Sequence, residues 1–295
     1  MSSITDTYQS HTHEEHILNV PDTYIGSVES VKQHMYVVLE DKIVKKEIDY
    51  IPGLYKIFDE IIVNSLDQYV RCNIMNTTDL KVKKLNVNID METGIIDVYN
   101  DGKGIDIVEH PKHKIYVPQM IFGKLLTSTN YNKKEKRIVG GKNGYGAKLT
   151  NIYSKMFEIQ TVDVERKLHY KQVFKNNMKT IGTPKIKSFS GAPYTRIRFL
   201  PDYERFGIEK MTEDMYSLFV KRVYDCAGLT GTDLNVYLNK KRLPIKGFKK
   251  FVECFEHPVN EEESKPKILH EQINEHWEVC VRLNDSFDQI SYVNS

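Results

Sequence analysis

Apolar side chains recur along residues 54–69 at the spacing of one helical face, as seen for Leu54, Ile57, Phe58, Ile61, Ile62, Leu66 and Tyr69. This spacing predicts an amphipathic helix that starts at the signal of Pro52 and Gly53 and runs without an interrupting Gly or Pro. Glu60, Asn64 and Gln68 follow at four-residue steps and so line up beside the apolar face. Such a strip is usually a solvated helix edge. The other interpretation is a carboxylate and an amide that hold a water and a hard metal ion side by side.

Alternating apolar and polar positions predict strands on either side of this helix. Residues 83–90 (KKLNVNID) and 94–100 (GIIDVYN) flank the turn METG and predict an antiparallel hairpin. Residues 31–51 contain a β-rich stretch, MYVVLE, and a charged segment around Lys45 and Lys46. Further strands are predicted at MFEIQTVDV, LHYKQVF, YTRIRFL, LNVYLN, KRLPI, ILHEQI, HWEVCVRL and QISYVN, and further helices within 115–130, from Ala147 onward and at 210–226.

Two glycine-containing segments interrupt the regular pattern. NDGKGI, residues 100–105, follows a predicted strand, and Gly102 and Gly104 permit a sharp turn and the close approach of a flat ligand. A simple surface turn is the alternative, because N-D-G is good turn chemistry. Gly141, Gly144 and Gly146 form G-x-x-G-x-G before a predicted helix, which favours an anion cradle or, alternatively, an ordinary glycine-rich loop. The spacing excludes a P-loop and does not support a dinucleotide-binding fingerprint.

Length and composition limit the number of domains and the class of protein. The 295 residues suffice for one large domain or two, and 42 basic against 40 acidic residues neither require nor exclude a nucleic-acid partner. The four cysteines are far apart, which indicates free thiols in a reducing compartment. With no signal-peptide core and no long apolar run, we expect a soluble intracellular protein without a membrane partner. His11, His13 and His16 do not form H-E-x-x-H, so a metal site there is not favoured.

The order of the three motifs, E-x-x-x-N on a helix, N-D-G-K-G at a strand end and G-x-x-G-x-G before a helix, resembles that of the GHKL (Bergerat) ATPases. Longer strings resemble the ATPase region of eukaryotic-type (type IIA) DNA topoisomerase II over nearly the whole chain: PDTYIGSVE, PGLYKIFDEIIVNSLDQ, YVPQMIFGKLLTSTNY, GGKNGYGAKLTNIYS, VYDCAG, NVYLN and QISYVNS. The resemblance implies an α+β fold, namely a two-layer α/β sandwich with a mixed, largely antiparallel sheet, followed by the start of a ribosomal S5-like transducer domain.

The resemblance also implies roles for individual residues, with ATP and Mg²⁺ as cofactors. Glu60 would be the general base that activates the attacking water, and Asn64 the Mg²⁺ ligand, which suits an ion that takes few protein ligands. Asn100 would read the adenine amino edge, with Asp101, Gly102 and Gly104 completing the motif. The remaining expected ATP contacts are Ser128, Thr129 and Asn130, then Gly141, Lys142, Asn143, Gly144, Tyr145, Gly146, Ala147 and Lys148 of the lid, and Tyr8 from the partner subunit.

The implied domain plan is an N-terminal arm (1–20), a GHKL ATPase domain (21–245) and the beginning of a transducer domain (246–295). The implied partners are a second copy, through an ATP-closed gate, and double-stranded DNA in the full enzyme. The implied location is the nucleus for a cellular protein, and the cytoplasm or association with the virus for a viral one. The family's Q-T-K loop, Toprim acids and nucleolytic tyrosine are missing from the sequence, so we expect a fragment that does not cut DNA. Alternatives are a MutL-type repair ATPase, or an ATP-binding clamp with little turnover.

The chain departs from the family pattern at a few positions. Gln68 stands where the family usually has Asn, Thr129 where it has Ser and Lys142 where it has Arg, while Leu66 replaces a small residue on the core side. The basic residues Lys133, Lys134, Lys136 and Arg137, and those of the region Lys240–Lys250, are either solvated or face DNA.

Overall fold

A computed structural model describes residues 13–125, 144–256, 267–274, 276–283 and 287–293. Within these ranges the helices are α1 (His13–Asn19), α2 (Pro52–Tyr69), α3 (Val117–Gly123), α4 (Gly146–Ile152), α5 (Glu213–Leu229) and α6 (Phe248–Val252). The strands are β1 (Val31–Leu39), β2 (Lys42–Tyr50), β3 (Lys84–Ile89), β4 (Ile96–Asp101), β5 (Ser154–Asp163), β6 (Leu168–Lys175), β7 (Thr180–Ile181), β8 (Lys185–Ser188), β9 (Tyr194–Pro201), β10 (Asn235–Leu238), β11 (Lys241–Arg242), β12 (Ile268–Asn274) and β13 (Trp277–Arg282). No helix in this part of the chain has the length and apolar character needed to cross a membrane.

The described residues form one nine-stranded sheet and two separate hairpins. The order in the large sheet is β11-β10-β3-β4-β9-β5-β6-β7, with β8 paired to β6. Strands β10 and β3 run parallel, and the other neighbours in this sheet are antiparallel. Strands β1 and β2 form one hairpin, and β12 and β13 form the other. The predicted mixed, largely antiparallel sheet is therefore confirmed.

One face of the large sheet packs against helices α2 and α5. Along β3 the side chains of Leu85, Val87 and Ile89 are buried, and the alternate positions are less so, as a one-sided strand requires. Between the two helices, the ring of Phe58 stacks on that of Phe219 with centroids 4.2 Å apart. Both rings are fully buried, so the helices and the sheet share one core and form the predicted two-layer sandwich.

Helix α2 begins at Pro52, two residues before the predicted apolar face starts. Proline is favoured there because its fixed φ suits the first helical position and its missing N–H is not needed. Gly53 follows and donates its N–H to the Ser27 carbonyl at 2.8 Å, and a Cβ at Gly53 would lie 2.9 Å from Ile25 Cδ1. The turn-rich segment before β1 therefore packs against the start of α2, and a π-helical turn, Val70–Ile74, continues the helix at its other end.

Two local predictions need correction, and a third is observed in part. The charged segment around Lys45 and Lys46 is strand β2, in which both lysines are exposed while Ile43 and Ile48 are buried. The helix predicted within 115–130 is observed as α3, and residues 126–130 lie outside the described residues. QISYVN was predicted as a strand, but its described residues 289–293 form none. Its Tyr292 instead binds α5 through the hydroxyl, 3.0 Å from Lys221 Nζ and 3.3 Å from Asp225 Oδ1.

Candidate functional site

The polar strip of helix α2 lies at the edge of the core. Glu60 is partly buried and forms an ion pair through Oε1 with the ammonium group of Lys56, one turn earlier. Asn64 is exposed. Because Leu54, Ile57 and the other apolar residues of α2 are buried in the core, the strip has a fixed position, and Glu60 and Asn64 lie next to each other along it.

The second oxygen of Glu60 faces the beginning of helix α4. A Cβ placed on Gly146 would overlap Glu60 Oε2 and would lie 3.1 Å from Cγ, so no residue with a side chain fits there while Glu60 keeps this position. Helix α4 is attached to α2 by Thr150, whose hydroxyl donates to the Ile57 carbonyl at 2.8 Å. The structure thus brings the end of the glycine-rich segment directly against the carboxylate, a contact between residues far apart in the sequence.

Lys148, in the first turn of α4, is buried with 1% of its surface exposed. Its Nζ donates to the Gly144 carbonyl at 2.5 Å, and Gly144 itself has a positive φ of 66°. Burial disfavours the ammonium form and lowers the pKa of Lys148 to about 8. The lysine therefore places a cationic group inside the turn of the glycine-rich segment. Beside this turn, the Tyr145 ring meets the His13 ring edge-on with centroids 6.2 Å apart.

Asn100 and Asp101, at the end of β4, have different surroundings. Asn100 is buried, with 4% exposed, and its Nδ2 donates to the Asp101 carbonyl at 2.9 Å. Asp101 Oδ1 accepts the backbone N–H groups of Lys83 and Lys84 at 2.7 and 2.8 Å. The Asp101 carboxylate thus fixes the backbone before β3, which makes it a structural part of the turn.

The glycines after Asp101 are required by close backbone packing. Gly102 has a φ of 88°, and a Cβ there would lie 2.6 Å from Val82 Cγ2. A Cβ at Gly104 would overlap the Val162 carbonyl of β5. The segment is therefore pressed between the chain before β3 and strand β5, which explains both glycines better than a free surface turn does.

Gln68, the third residue of the α2 strip, also reaches this segment. Its Nε2 donates to the Lys103 carbonyl at 2.9 Å and to Cys72 Sγ at 3.3 Å. Leu66, on the other side of the helix, is buried in the core, as predicted. Gln68 thus connects α2 to the turn that directly follows β4.

Several predicted site residues lie outside the described residues, namely Tyr8, Ser128, Thr129, Asn130, Gly141, Lys142 and Asn143, as do the lysines and arginine of 133–137. Those that the structure describes fall into two groups. Glu60, Asn64, Gly144, Tyr145, Gly146, Ala147 and Lys148 surround the α2–α4 contact, and Asn100, Asp101 and Gly104 lie at the end of β4. Helix α2 spans both groups, through Glu60 at one and Gln68 at the other.

Two residues at the site were not identified from the sequence. Lys56 lies four residues before Glu60, so its position on the same strip could have been read from the spacing. Thr161 occupies an inward-facing, fully buried position in β5, where Phe157 and Ile159 are also buried. Its Oγ1 accepts the Ile105 N–H at 2.9 Å and so anchors the loop after Gly104. Thr161 could have been noticed in the sequence as a polar residue among the apolar, inward-facing positions of β5.

Known proteins similar to this chain match it over nearly its whole length. No family model matches. The chain is 47% identical over 296 residues to DNA topoisomerase 2-alpha of Sus scrofa and 46% identical to that of Homo sapiens, covering 99% of this chain in each case. It spans 19% of the length of each, so about a fifth of these relatives is represented.

This chain covers a larger share of the solved structures that it resembles. The ATPase region of Saccharomyces cerevisiae topoisomerase II superposes with a TM-score of 0.88 at 46% identity, covering 98% of this chain and 75% of that one. The ATPase and transducer domains of topoisomerase II from Balamuthia mandrillaris give 0.88 at 39% identity, covering 99% and 73%. The ATPase domain of Thermus thermophilus gyrase B, at 17% identity and a TM-score of 0.57 over 89% of this chain and 60% of that one, shares the fold. These relatives support the topoisomerase interpretation over the repair-protein alternative, and the chain belongs to the DNA topoisomerase II family, matching its ATPase region.

Proposed function

We propose that this chain binds and hydrolyses ATP between α2 and α4, as the N-terminal gate part of a type II DNA topoisomerase. The observation that carries the proposal is the contact of Glu60 with Gly146, which sets a carboxylate against the start of the glycine-rich helix. Asn100 lies buried at the end of β4, three residues before Lys103, whose carbonyl accepts a hydrogen bond from Gln68 of α2. A nucleotide lying along α2 would meet an amide at one end and a carboxylate at the other.

Glu60 is proposed as the general base. Phosphoryl transfer depends mainly on positioning and on neutralising charge, so the base has to hold the attacking water in line with the γ-phosphate. Lys56 binds Oε1 of Glu60, and Oε2 is directed to Gly146. The ion pair with Lys56 thus orients the carboxylate and leaves its second oxygen toward the glycine-rich segment, where the phosphates are proposed to lie.

The residues present fit a magnesium ion held mainly by the nucleotide. Asn64 offers an exposed amide oxygen one turn from Glu60, and no cluster of three or more His, Cys, Asp or Glu residues suited to a metal occurs in the described ranges. Mg²⁺ commonly takes one or two protein ligands together with phosphate oxygens and water. When bound, the ion would offset negative charge on the phosphates.

The remaining contacts are proposed by position. Asn100 would read the adenine amino edge, while Asp101 and Gly104 hold its loop, as their contacts with Lys83, Lys84 and Val162 support. Lys148 and the glycine-rich turn would face the phosphates. Ser128, Thr129 and Asn130 would contact the ribose and phosphates, Gly141, Lys142, Asn143, Gly144, Tyr145, Gly146 and Ala147 would close over the triphosphate, and Tyr8 would enter the site of a second subunit.

In the full-length protein this activity would drive dimerisation and passage of one DNA duplex through another, inside the cell. Residues 1–20 would form the arm, 21–245 the ATPase domain and 246–295 the start of the transducer domain. The 46% identity to a topoisomerase II ATPase region, over 98% of this chain and 75% of that one, supports placing the ATPase part within these residues. A non-hydrolysable ATP analogue is expected to shift the protein toward a dimer in sedimentation analysis, and a strictly monomeric species would contradict gate closure by this part of the protein.

The base assignment is tested by Glu60→Gln. The variant is expected to bind a non-hydrolysable ATP analogue like the wild type and to lose at least a hundredfold in turnover, because general base catalysis typically contributes that much. Glu47→Gln, an exposed glutamate on β2, is the matched control and should keep wild-type turnover. Wild-type turnover in Glu60→Gln would rule out Glu60 as the base. Nucleotide binding without turnover in the wild type would instead favour the ATP-binding clamp.

A further inference from the structure

The two ends of the proposed nucleotide site lie on different parts of the fold. Helix α2 carries Glu60 and Asn64, whereas Asn100 is the first of residues 100–105, here called the base loop, which contain the Gly102–Gly104 turn. Gln68 and Lys103 are 35 residues apart in the sequence, and the hydrogen bond between Gln68 Nε2 and the Lys103 carbonyl joins these two parts at 2.9 Å. Strand β4 positions Asn100 by its pairing with β3 and β9, and the Gln68–Lys103 hydrogen bond links the residues that follow it directly to the helix that carries Glu60.

The other hydrogen bonds that fix the base loop come from different elements. Asp101 binds the backbone of Lys83 and Lys84, and the Lys103 N–H donates to the Leu80 carbonyl at 3.2 Å. Ile105 is bound by Thr161 of β5 at 2.9 Å. These contacts hold the loop to the chain before β3 and to β5, whereas the bond from Gln68 holds it to the helix that carries Glu60.

The amide nitrogen of Gln68 has two acceptors. The same Nε2 also donates to Cys72 Sγ at 3.3 Å, and Cys72 is buried with 1% exposed at the π-helical turn. Lys81 Nζ donates to the Cys72 carbonyl at 2.6 Å, so the turn is itself tied to the chain before β3. The amide nitrogen thus lies between the Lys103 carbonyl of the base loop and the thiol of Cys72. The length of the glutamine side chain brings it within hydrogen-bonding distance of both.

We propose that Gln68 is a positioning residue that sets the distance between the adenine end and the phosphate end of the site by tethering the Lys103 carbonyl to α2. This inference rests on the proposed ATP site. An asparagine would be shorter by one carbon–carbon bond of about 1.5 Å, which would leave its nitrogen about 4.4 Å from the carbonyl and outside hydrogen-bonding range. The longer side chain is thus required by the position of this loop.

The tether predicts a particular kinetic signature. Without it the base loop has to be ordered by the nucleotide itself, so nucleotide affinity falls, while Glu60 keeps its contacts with Lys56 and Gly146 and turnover changes little. Discrimination between adenine and guanine should fall as well, because Asn100 is part of the base loop. A residue that only stabilised the fold would lower the melting temperature and leave both nucleotide readouts unchanged.

The test uses Gln68→Glu, Gln68→Asn and Gln68→Ala, with Gln33→Glu on the exposed face of β1 as the matched control. Titration with β,γ-imido ATP and with its guanine counterpart gives the two dissociation constants, and steady-state assays give kcat and KM. Each Gln68 variant is expected to bind the ATP analogue about tenfold more weakly, the loss typical of one hydrogen bond, with kcat within about twofold of the wild type. Cys72→Ala, which leaves the bond to Lys103 in place, should keep wild-type affinity.

The outcomes separate this inference from the proposed function. Wild-type affinity and base discrimination in folded Gln68→Glu and Gln68→Asn would overturn the tether, even if Glu60→Gln abolishes turnover and so supports the ATPase site. An equal loss in Cys72→Ala would move the effect from the Lys103 bond to the packing of the π-helical turn and would also overturn it. If the wild type binds no ATP analogue, the site and the tether both fail.

Discussion

Arg222 and Asp59 form a largely buried ion pair between α5 and α2, with Nε of the arginine 2.6 Å from Oδ1 of the aspartate. The guanidinium side chain is 9% exposed and the carboxylate 22%. Asp59 directly precedes Glu60, so the pair fixes α2 at the residue before the proposed base. Breaking one partner of such a pair leaves a buried charge, which costs more than the intact pair contributes.

Asp59→Asn is expected to lower the free energy of unfolding by about 3 kcal/mol, because the buried guanidinium loses its carboxylate. Chemical denaturation measures this value. The double variant Asp59→Asn/Arg222→Leu should recover part of the loss, since it removes the buried charge as well. Glu253→Gln, which breaks the more exposed pair with Lys250, is the control and should change stability by less than about 1 kcal/mol. A similar small effect from Asp59→Asn would contradict a structural role for the buried pair.

Gly146→Ala is expected to impair turnover by about a hundredfold. The added methyl group would overlap Glu60 Oε2, so either the carboxylate or the start of α4 has to move, and a displacement of about 1 Å near the reacting groups has an effect of this size. A steady-state ATPase assay measures it. Gly207→Ala is the comparison, because a Cβ there meets nothing within 4 Å although φ is 70°. It should cost about 1–2 kcal/mol of stability with turnover unchanged. Normal turnover in Gly146→Ala would show that this contact is not needed.

The parts of the fold that follow from local periodicity could be predicted from the sequence. The apolar spacing of α2 and the alternation of β3 depend on a single core-facing side, so each element records its own environment. Strand β2 was missed because Lys45 and Lys46 are exposed and dominate its composition. The strand expected at QISYVN was wrong because hydrophobic content does not distinguish a strand from a segment held by Tyr292 to α5.

The site could be predicted only in part, because local sequence patterns do not show contacts between different elements. The order of the motifs identified Glu60 and Gly146 separately, and the family resemblance gave each a role. Their contact, and the bond from Gln68 to Lys103, join residues from different elements, so neither can be obtained from the pattern of one segment. Asp101 was expected to contribute to the nucleotide site, and the motif gave no sign of its second contact. In the structure its Oδ1 accepts the backbone N–H groups of Lys83 and Lys84.

The buried ammonium of Lys148 should make stability depend on pH in the alkaline range. Burial lowers its folded-state pKa to about 8 from the ordinary 10.5, so the unfolded chain binds more protons between these values. The free energy of unfolding therefore rises as pH increases from about 8 to 10.5, by at most about 3 kcal/mol from this group. Because other groups titrate in this range, the measurement is the difference in denaturation between the wild type and Lys148→Met. Parallel pH profiles for the two proteins would contradict the shift.

Tyr292→Phe is expected to loosen the attachment of residues 287–293 to α5. The hydroxyl lies 3.0 Å from Lys221 Nζ and 3.3 Å from Asp225 Oδ1, and Lys221 also pairs with Asp225 at 2.8 Å. Asp225 is 5% exposed, which raises its pKa and also keeps water from replacing a donor lost at this carboxylate. We expect a loss of about 1–2 kcal/mol in thermal or chemical denaturation and faster amide hydrogen exchange across 287–293. Tyr50→Phe, at a half-buried tyrosine of β2, is the control, and equal exchange in the two variants would show that the Tyr292 hydroxyl does not hold this segment.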